Sequence, residues 1–170
     1  MQLGQIELPV YQAEAIAPAY FLRGEFQPIG PMLPFLNDPG RHFVPFKETT
    51  IAAFDASNPL TKLQPSAVML RKDEIVAVSV LDQAGLEAAQ LLSTKHKMIL
   101  YTERFVIRGY LHMGVEEMPM DILSSSNNDF MGMTETVLYP LKASHRSPQP
   151  SPPLMLINRM QVIFYHQADD

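Results

Sequence analysis

Two polar pairs recur along the chain and are the first candidates for chemistry. Arg23 with Glu48 and Arg108 with Glu135 repeat a guanidinium and a carboxylate in the same order at nearly the same spacing. Such groups can form a bidentate ion pair or line two equivalent pockets for an anion or carboxylate ligand. The expected outcome is the plainer one, in which Arg and Glu pair across neighbouring strands. The five histidines, His42, His96, His112, His145 and His166, include no two within three to five residues of each other. A metal site would therefore have to be assembled in three dimensions, with His112, His166 and Asp129 or Glu135 as the conceivable set. No metal or other cofactor is expected. With no cysteine there is no disulfide, thiolate metal site or cysteine nucleophile. The sequence has no phosphate-binding glycine loop, nucleophile elbow or His-Glu-X-X-His motif, so an enzyme is not the expected reading.

These residues sit in a pattern that occurs twice. Tyr20–Phe26, with Arg23-Gly24, aligns with Phe105–Leu111, with Arg108-Gly109, at an offset of 85 residues. Phe43–Ile51, with Glu48-Thr49, aligns with Phe130–Leu138, with Glu135-Thr136, at an offset of 87. The same 87 relates Val68–Lys72 to Met155–Arg159, Ile75-Val76 to Val162-Ile163, and Pro65 to Pro152. Three collinear blocks thus need one two-residue insertion, which predicts a tandem duplication.

Each copy reads as β-rich from its β-branched and aromatic runs. In the second copy, Met98–Leu111 reads as a long strand or hairpin arm interrupted at Gly109, where a glycine marks a bend or bulge. Pro119–Ser125 suits one helical turn, and Phe130–Leu141 a strand. Leu154–Ile157 and Met160–Tyr165 read as a tight hairpin turning at Asn158-Arg159. The first copy repeats this with Tyr20–Phe26, Phe43–Phe54, Ser66–Leu70 and Glu74–Leu81. Between the copies, Gln83–Thr94 is the helix candidate, with Asp82 placed to cap it. Lys142–Pro153, rich in proline and serine, reads as extended and poorly packed. The fold expected is mainly β: a tandem duplication of a small SH3-like or Sm-like barrel over 13–82 and 97–167, with a linker helix in 83–96.

Eight of the 11 methionines fall between 98 and 160. They serve either as core filler or as an adaptable surface, with core the favoured role. Met131 and Met133, two apart on a strand, must share one face.

The terminal segment Leu154–Ile163 resembles the last two strands of Sm-like domains. The second copy as a whole is similar to a domain family of uncharacterised bacterial proteins. The matching residues are Arg104, Phe105, Ile107, Gly109, Asp129, Phe130, Thr134, Glu135, Asn158 and Arg159. That resemblance implies a small barrel with no activity; the Sm likeness implies a ring or an RNA contact.

Thirteen Lys and Arg against 18 Asp and Glu give a net charge of −5, without the basic excess that phosphate-backbone binding uses. No apolar stretch approaches the ~20 residues of a membrane span. The expectation is a non-catalytic binding or assembly protein of a bacterial cytoplasm, acting on an unknown protein partner or by self-association, without nucleic acid or membrane. Its expected contact residues are Arg108, Glu135, Asn158 and Arg159, with Arg23 and Glu48 in the first copy. One alternative is Sm-like RNA binding through Lys72, Arg108 and Arg159, with Tyr110 or Tyr165 stacking on bases. The other is a small-molecule or metal binder with a pocket between the modules.

Overall fold

The computed structural model describes residues 7–55, 63–144 and 146–169. Among them, ten strands form a single antiparallel sheet, accompanied by three short helices. The first half contributes β1 (Tyr11–Ile16), β2 (Tyr20–Phe26), α1 (Met32–Asn37), β3 (Phe43–Ala53), β4 (Ala67–Arg71) and β5 (Ala77–Val80). After α2 (Gln83–Ala88), the second half contributes β6 (Thr94–Tyr101), β7 (Phe105–Met113), α3 (Ile122–Ser125), β8 (Phe130–Pro140), β9 (Leu154–Asn158) and β10 (Phe164–Gln167). The order across the sheet is β10-β6-β7-β8-β9-β5-β1-β2-β3-β4. Each half therefore has one and the same strand order, with its last strand beside its first.

The correspondence extends to single hydrogen bonds. Val76 N–H donates to Ile16 O and Leu81 N–H to Gln12 O; at the offsets given above, Ile163 N–H donates to Tyr101 O and Ala168 N–H to Lys97 O. The β2–β3 and β7–β8 ladders slip at the same place, after Arg23 and after Arg108. There Gly24 and Gly109 each face two residues, Glu48-Thr49 and Glu135-Thr136, and Glu48 and Glu135 take the left-handed conformation at φ 46° and 52°. This two-against-one arrangement is a β-bulge. A Cβ on Gly24 would lie 2.5 Å from Lys47 O, so only glycine allows the close approach.

The sheet is not closed, which corrects the expectation of two barrels. The element that would seal the first half, β5, pairs with β1 on one side and with β9 of the second half on the other. Its edge is used in joining the halves. The expected terminal hairpins are also absent: β4 pairs with β3 and β9 with β8, while β5 and β10 return to β1 and β6. Short 3₁₀ turns at Lys72–Glu74 and Arg159–Gln161 redirect the chain at each of those points.

Other elements also depart from expectation. Met98–Leu111 divides into β6 and β7, because Thr102 to Arg104 forms a turn closed by Thr102 N–H donating to Phe105 O. The linker helix is one and a half turns rather than spanning to Thr94, because the chain leaves helical geometry at Gln90, whose φ is 51°. β1 and α1 lack a clear sequence signal; Ala13, Glu14 and Ala15 are poor strand formers, and the proline inside α1 falls in its first turn, where no N–H is needed. The first ladder begins at Tyr11 and that of the second half at Thr94, a few residues ahead of the expected bounds of 13 and 97.

Two apolar cores lie on opposite faces of the sheet at the β5–β9 junction. Met155 and Ile157 point into the core of the second half, while Leu154 and Leu156 point into that of the first. Likewise Val78 and Val80 face the first core and Ala77 the second. Both strands are buried on both faces, which explains their unbroken apolar sequences. At roughly 1.5–3 kcal/mol for each large side chain fully buried, this junction contributes heavily to stability. Each core also draws residues from the other half. Ile16, Phe21 and Phe54 reach the second core, and Phe130 the first.

Candidate functional site

The six polar residues singled out in the sequence do not converge on one site. Arg23 lies opposite Glu14 and Thr50 on exposed sheet surface, and Arg108 lies opposite Ile99 and Val137. Neither is ion-paired with the glutamate expected for it. Glu48 and Glu135 are instead the bulge residues, their left-handed backbone turning the carboxylates away from the ladder. Glu135 meets Lys95 at 2.7 Å across exposed surface, a pair worth under about 1 kcal/mol. The threonines beside them are buried, and both hydroxyls donate to proline carbonyls: Thr49 to Pro65 O at 3.0 Å and Thr136 to Pro152 O at 3.4 Å. The recurring Gly, Glu-Thr and Pro signal thus specifies a bulge and its support.

Asn158 ties the second half to the first, and Arg159 braces the second half internally. The buried Asn158 accepts from Met160 N–H at 3.0 Å and donates to Ile75 O at 2.9 Å, tying the end of β9 to the start of the β5 segment. Arg159 donates to Asn128 O and Leu123 O at 2.9 and 3.0 Å, fixing the α3–β8 connection. Lys72 donates to Asp38 O. Tyr110 is covered by the Lys95 ammonium, and Tyr165 donates to Met120 O. Of the residues of the RNA-binding alternative, Lys72, Arg159, Tyr110 and Tyr165 are thus engaged within the fold, while Arg108 stands exposed.

His112 and His166 stay apart, and His145 lies outside the described residues. His166 is level with Ile99 on β6, and His112 is level with Lys95 four residues along that strand, about 13 Å away at the rise of a strand. One ring nitrogen of His112 donates to Leu92 O at 2.7 Å, and the other lies 2.8 Å from the Thr134 hydroxyl. No group of three metal-ligating side chains occurs among the described residues. Five of the methionines from 98 onward, Met98, Met113, Met131, Met133 and Met155, are buried in the second core; Met118, Met120 and Met160 are exposed. Met131 and Met133 share a face, as their spacing requires.

The halves meet through polar links as well. Asn37 of α1 both donates to Phe130 O and accepts from Phe130 N–H, at 3.0 and 2.7 Å. Arg104 donates to Pro18 O and Asp55 and lies over the Phe54 ring; hydrogen bonding from Arg104 holds the Asp55 carboxyl below its usual range. The proline tract is not loose: Pro148 and Pro152 are buried, Pro150 O accepts from Leu138 N–H, and Gln149 N–H donates to Glu14 at 2.6 Å. Burial pushes Glu14 above the ordinary glutamate value, opposed by that hydrogen bond and by Arg23.

No protein-family model, curated protein or solved structure matches this chain. No described helix is long and apolar enough to cross a membrane.

Unpaired strand edges lie at the two ends of the sheet. Among the described residues, β4 and β10 each have a strand neighbour on one side only. Beside β4 an apolar cleft of about 320 Å³ opens between Ala15, Leu22, Ile51, Val68 and Leu70. Beside β10 the side chains of Tyr139, Leu141, Ile163 and Phe164 are 45–66% exposed. The sequence carries a faint signal of this: bulky apolar residues stand at 163 and 164 where the first half has Val76 and Ala77. A smaller cavity, about 240 Å³, lies between the halves and is lined by Phe54, Arg104, Leu141, Lys142 and Ser144.

Proposed function

We propose that the chain is a non-catalytic assembly protein, built from a duplicated small-barrel-like module whose copies are fused edge to edge and whose two outer strand edges take the partner. The recurrence of strand order, bulge, 3₁₀ turn and individual hydrogen bonds at fixed offsets supports the duplication. Several of the polar residues that invited a catalytic or RNA-binding reading, Asn158, Arg159 and Lys72 among them, have structural duties. The observation that carries the assembly reading is the pair of open edges. Neither Ala67–Arg71 nor Phe164–Gln167 contains a proline or a lysine, and the charged Arg71 stands only at the end of β4. Apolar side chains accompany both, as at surfaces that bind other proteins.

Native mass spectrometry of gently purified protein, paired with amide exchange, tests this. A retained protein chain, whether a copy of this one or another, with slowed exchange at β4 and β10 is the expected result. Single chains with both edges exchanging freely in the cell-derived sample would overturn it. A second reading, a small-molecule binder, is favoured by the cavity between the halves, where Lys142 and Ser144 border the Phe54 ring. A constant excess of small mass, lost on substituting Lys142, is its signature.

A further inference from the structure

We propose that the partner at these edges is a second copy of this chain, joined head to tail by β10 of one copy pairing antiparallel with β4 of the next. The inference rests on the assembly reading above and names its partner. The template is the junction inside the chain. β5 and β9 pair with Ala77 opposite Ile157, Val78 opposite Leu156, Ser79 opposite Met155 and Val80 opposite Leu154. At the offset of 87, β10 stands where β5 stands and β4 where β9 stands. The same pairing between copies puts Phe164 opposite Leu70, Tyr165 opposite Met69, His166 opposite Val68 and Gln167 opposite Ala67. The outward-facing backbone groups are in register too. Asn158 N–H donates to Val76 O within the chain, so Arg71 N–H is placed to donate to Ile163 O of the next copy, and alternation along the strand turns Met69 N–H outward as well.

The side chains fit by the same rule. In the internal junction, Ala52, Phe54, Val76 and Ala77 of the first half cap the second core, all at 5% exposure or less. Their counterparts are Tyr139, Leu141, Ile163 and Phe164, the exposed apolar group beside β10. What the internal cap covers is Leu100, Ile107, Leu138, Met155 and Ile157. The counterparts of those residues are Ala15, Leu22, Ile51, Val68 and Leu70, the lining of the open cleft. Sizes compensate: the cleft has Ala15 for Leu100 and Val68 for Met155, and the group that would fill it has Phe164 for Ala77, Tyr139 for Ala52 and Ile163 for Val76. Large side chains thus stand on one surface where the other has room, as close packing requires. The two surfaces are different patches of one molecule, so the contact is heterologous. It repeats into a ring where the rotation closes and into a filament where it does not.

Two substitutions block opposite ends. Phe164→Glu spoils the β10 surface and leaves β4 intact. Met69→Pro removes an outward N–H from β4 while sparing its bonds to β3, and Met69→Lys serves in its place should the proline variant fail to fold. Wild type in native mass spectrometry is expected at multiples of the chain mass, and each folded variant, checked by circular dichroism, at the mass of one chain. An equimolar mixture of the two variants keeps one good β10 and one good β4, and is expected to give a species of two chains and nothing larger. Wild type at one chain across all concentrations overturns the proposal, as does assembly that survives both substitutions. So does a wild-type assembly whose variants do not complement on mixing. A different protein retained on the edges of a single chain overturns this inference while the assembly reading stands.

Discussion

Replacing Gly24 by alanine probes the bulge that gives each half its bend. The new Cβ would stand 2.5 Å from Lys47 O and 2.7 Å from Thr49 Cγ2, where real Cβ atoms essentially never come within 3.0 Å. Lys47 O belongs to backbone laddered against β2, and Thr49 is buried with its hydroxyl bonded to Pro65 O. Neither can swing aside, so the strands must separate locally. Overpacking of this kind costs about 1–3 kcal/mol. With two contacts this short the upper end, about 3 kcal/mol, applies; alanine recovers about 0.4–1 kcal/mol by restricting the unfolded chain, leaving a net loss of about 2 kcal/mol. Gly109→Ala meets looser surroundings, Thr136 Cγ2 at 2.8 Å and Thr134 O at 3.0 Å, and is expected to lose about 1 kcal/mol. Gly40→Ala meets only Asp38 Oδ1 at 3.4 Å, an ordinary contact, and is expected to be neutral or to gain up to about 0.5 kcal/mol. Urea unfolding at constant slope measures the series, and melting temperature should follow at about 2–4 °C per kcal/mol. A Gly24→Ala variant within about 0.5 kcal/mol of Gly40→Ala, or one less affected than Gly109→Ala, would refute the argument.

Three further outcomes follow from buried polar groups. Glu14 binds its proton more tightly folded than unfolded, so its ionisation costs stability as pH rises from the ordinary 4.5 through its raised value. Glu14→Gln is therefore expected to melt higher than wild type at pH 7, with the advantage gone below pH 4.5; an advantage that grows on acidification would reverse the sign assigned here. The Ser79 hydroxyl is buried without a hydrogen-bond partner, and Ser79→Ala should gain about 1 kcal/mol in urea unfolding; a loss of that size would reveal a bond to the hydroxyl. Asn158→Ala leaves Met160 N–H and Ile75 O unpartnered and should cost about 2–3 kcal/mol. Arg71→Ala, at the matching position with exposed partners, should change stability by under about 0.5 kcal/mol; equal losses at the two positions would contradict the roles given to them.

The mainly β character and most strand positions were legible because β2, β3, β7 and β8 are long and rich in β-branched and aromatic residues. The paired Gly and Glu-Thr signals were legible too, though as a possible ion pair rather than a bulge. Nothing in a linear sequence distinguishes a glutamate held at positive φ from one facing an arginine. The hairpin expectation failed at Leu154–Tyr165 for a related reason. An apolar run, a short polar turn and a second run look alike whether the strands pair with each other or are sent apart by a 3₁₀ turn. β1 was missed because Glu14 interrupts its apolar pattern, and that glutamate is buried through a contact from Gln149, more than a hundred residues away. The proline tract misled through its composition, since its backbone carbonyls are acceptors for Leu138 and Thr136.

The sharing of cores across the β5–β9 junction sets a constraint on the order in which the chain can fold. The first core contains Phe130, Leu154 and Leu156, so it stays incomplete until residue 156 has left the ribosome. Residues 7–88 alone would expose β5 along one side and an unfilled interior on the other. The emerging chain must therefore hold an adhesive strand in waiting, and pairings so distant in sequence form slowly. A chain that meets others of its kind during that interval can have its β5 capped by the wrong β9, an exchange of segments between molecules that arises from the same geometry that joins the halves.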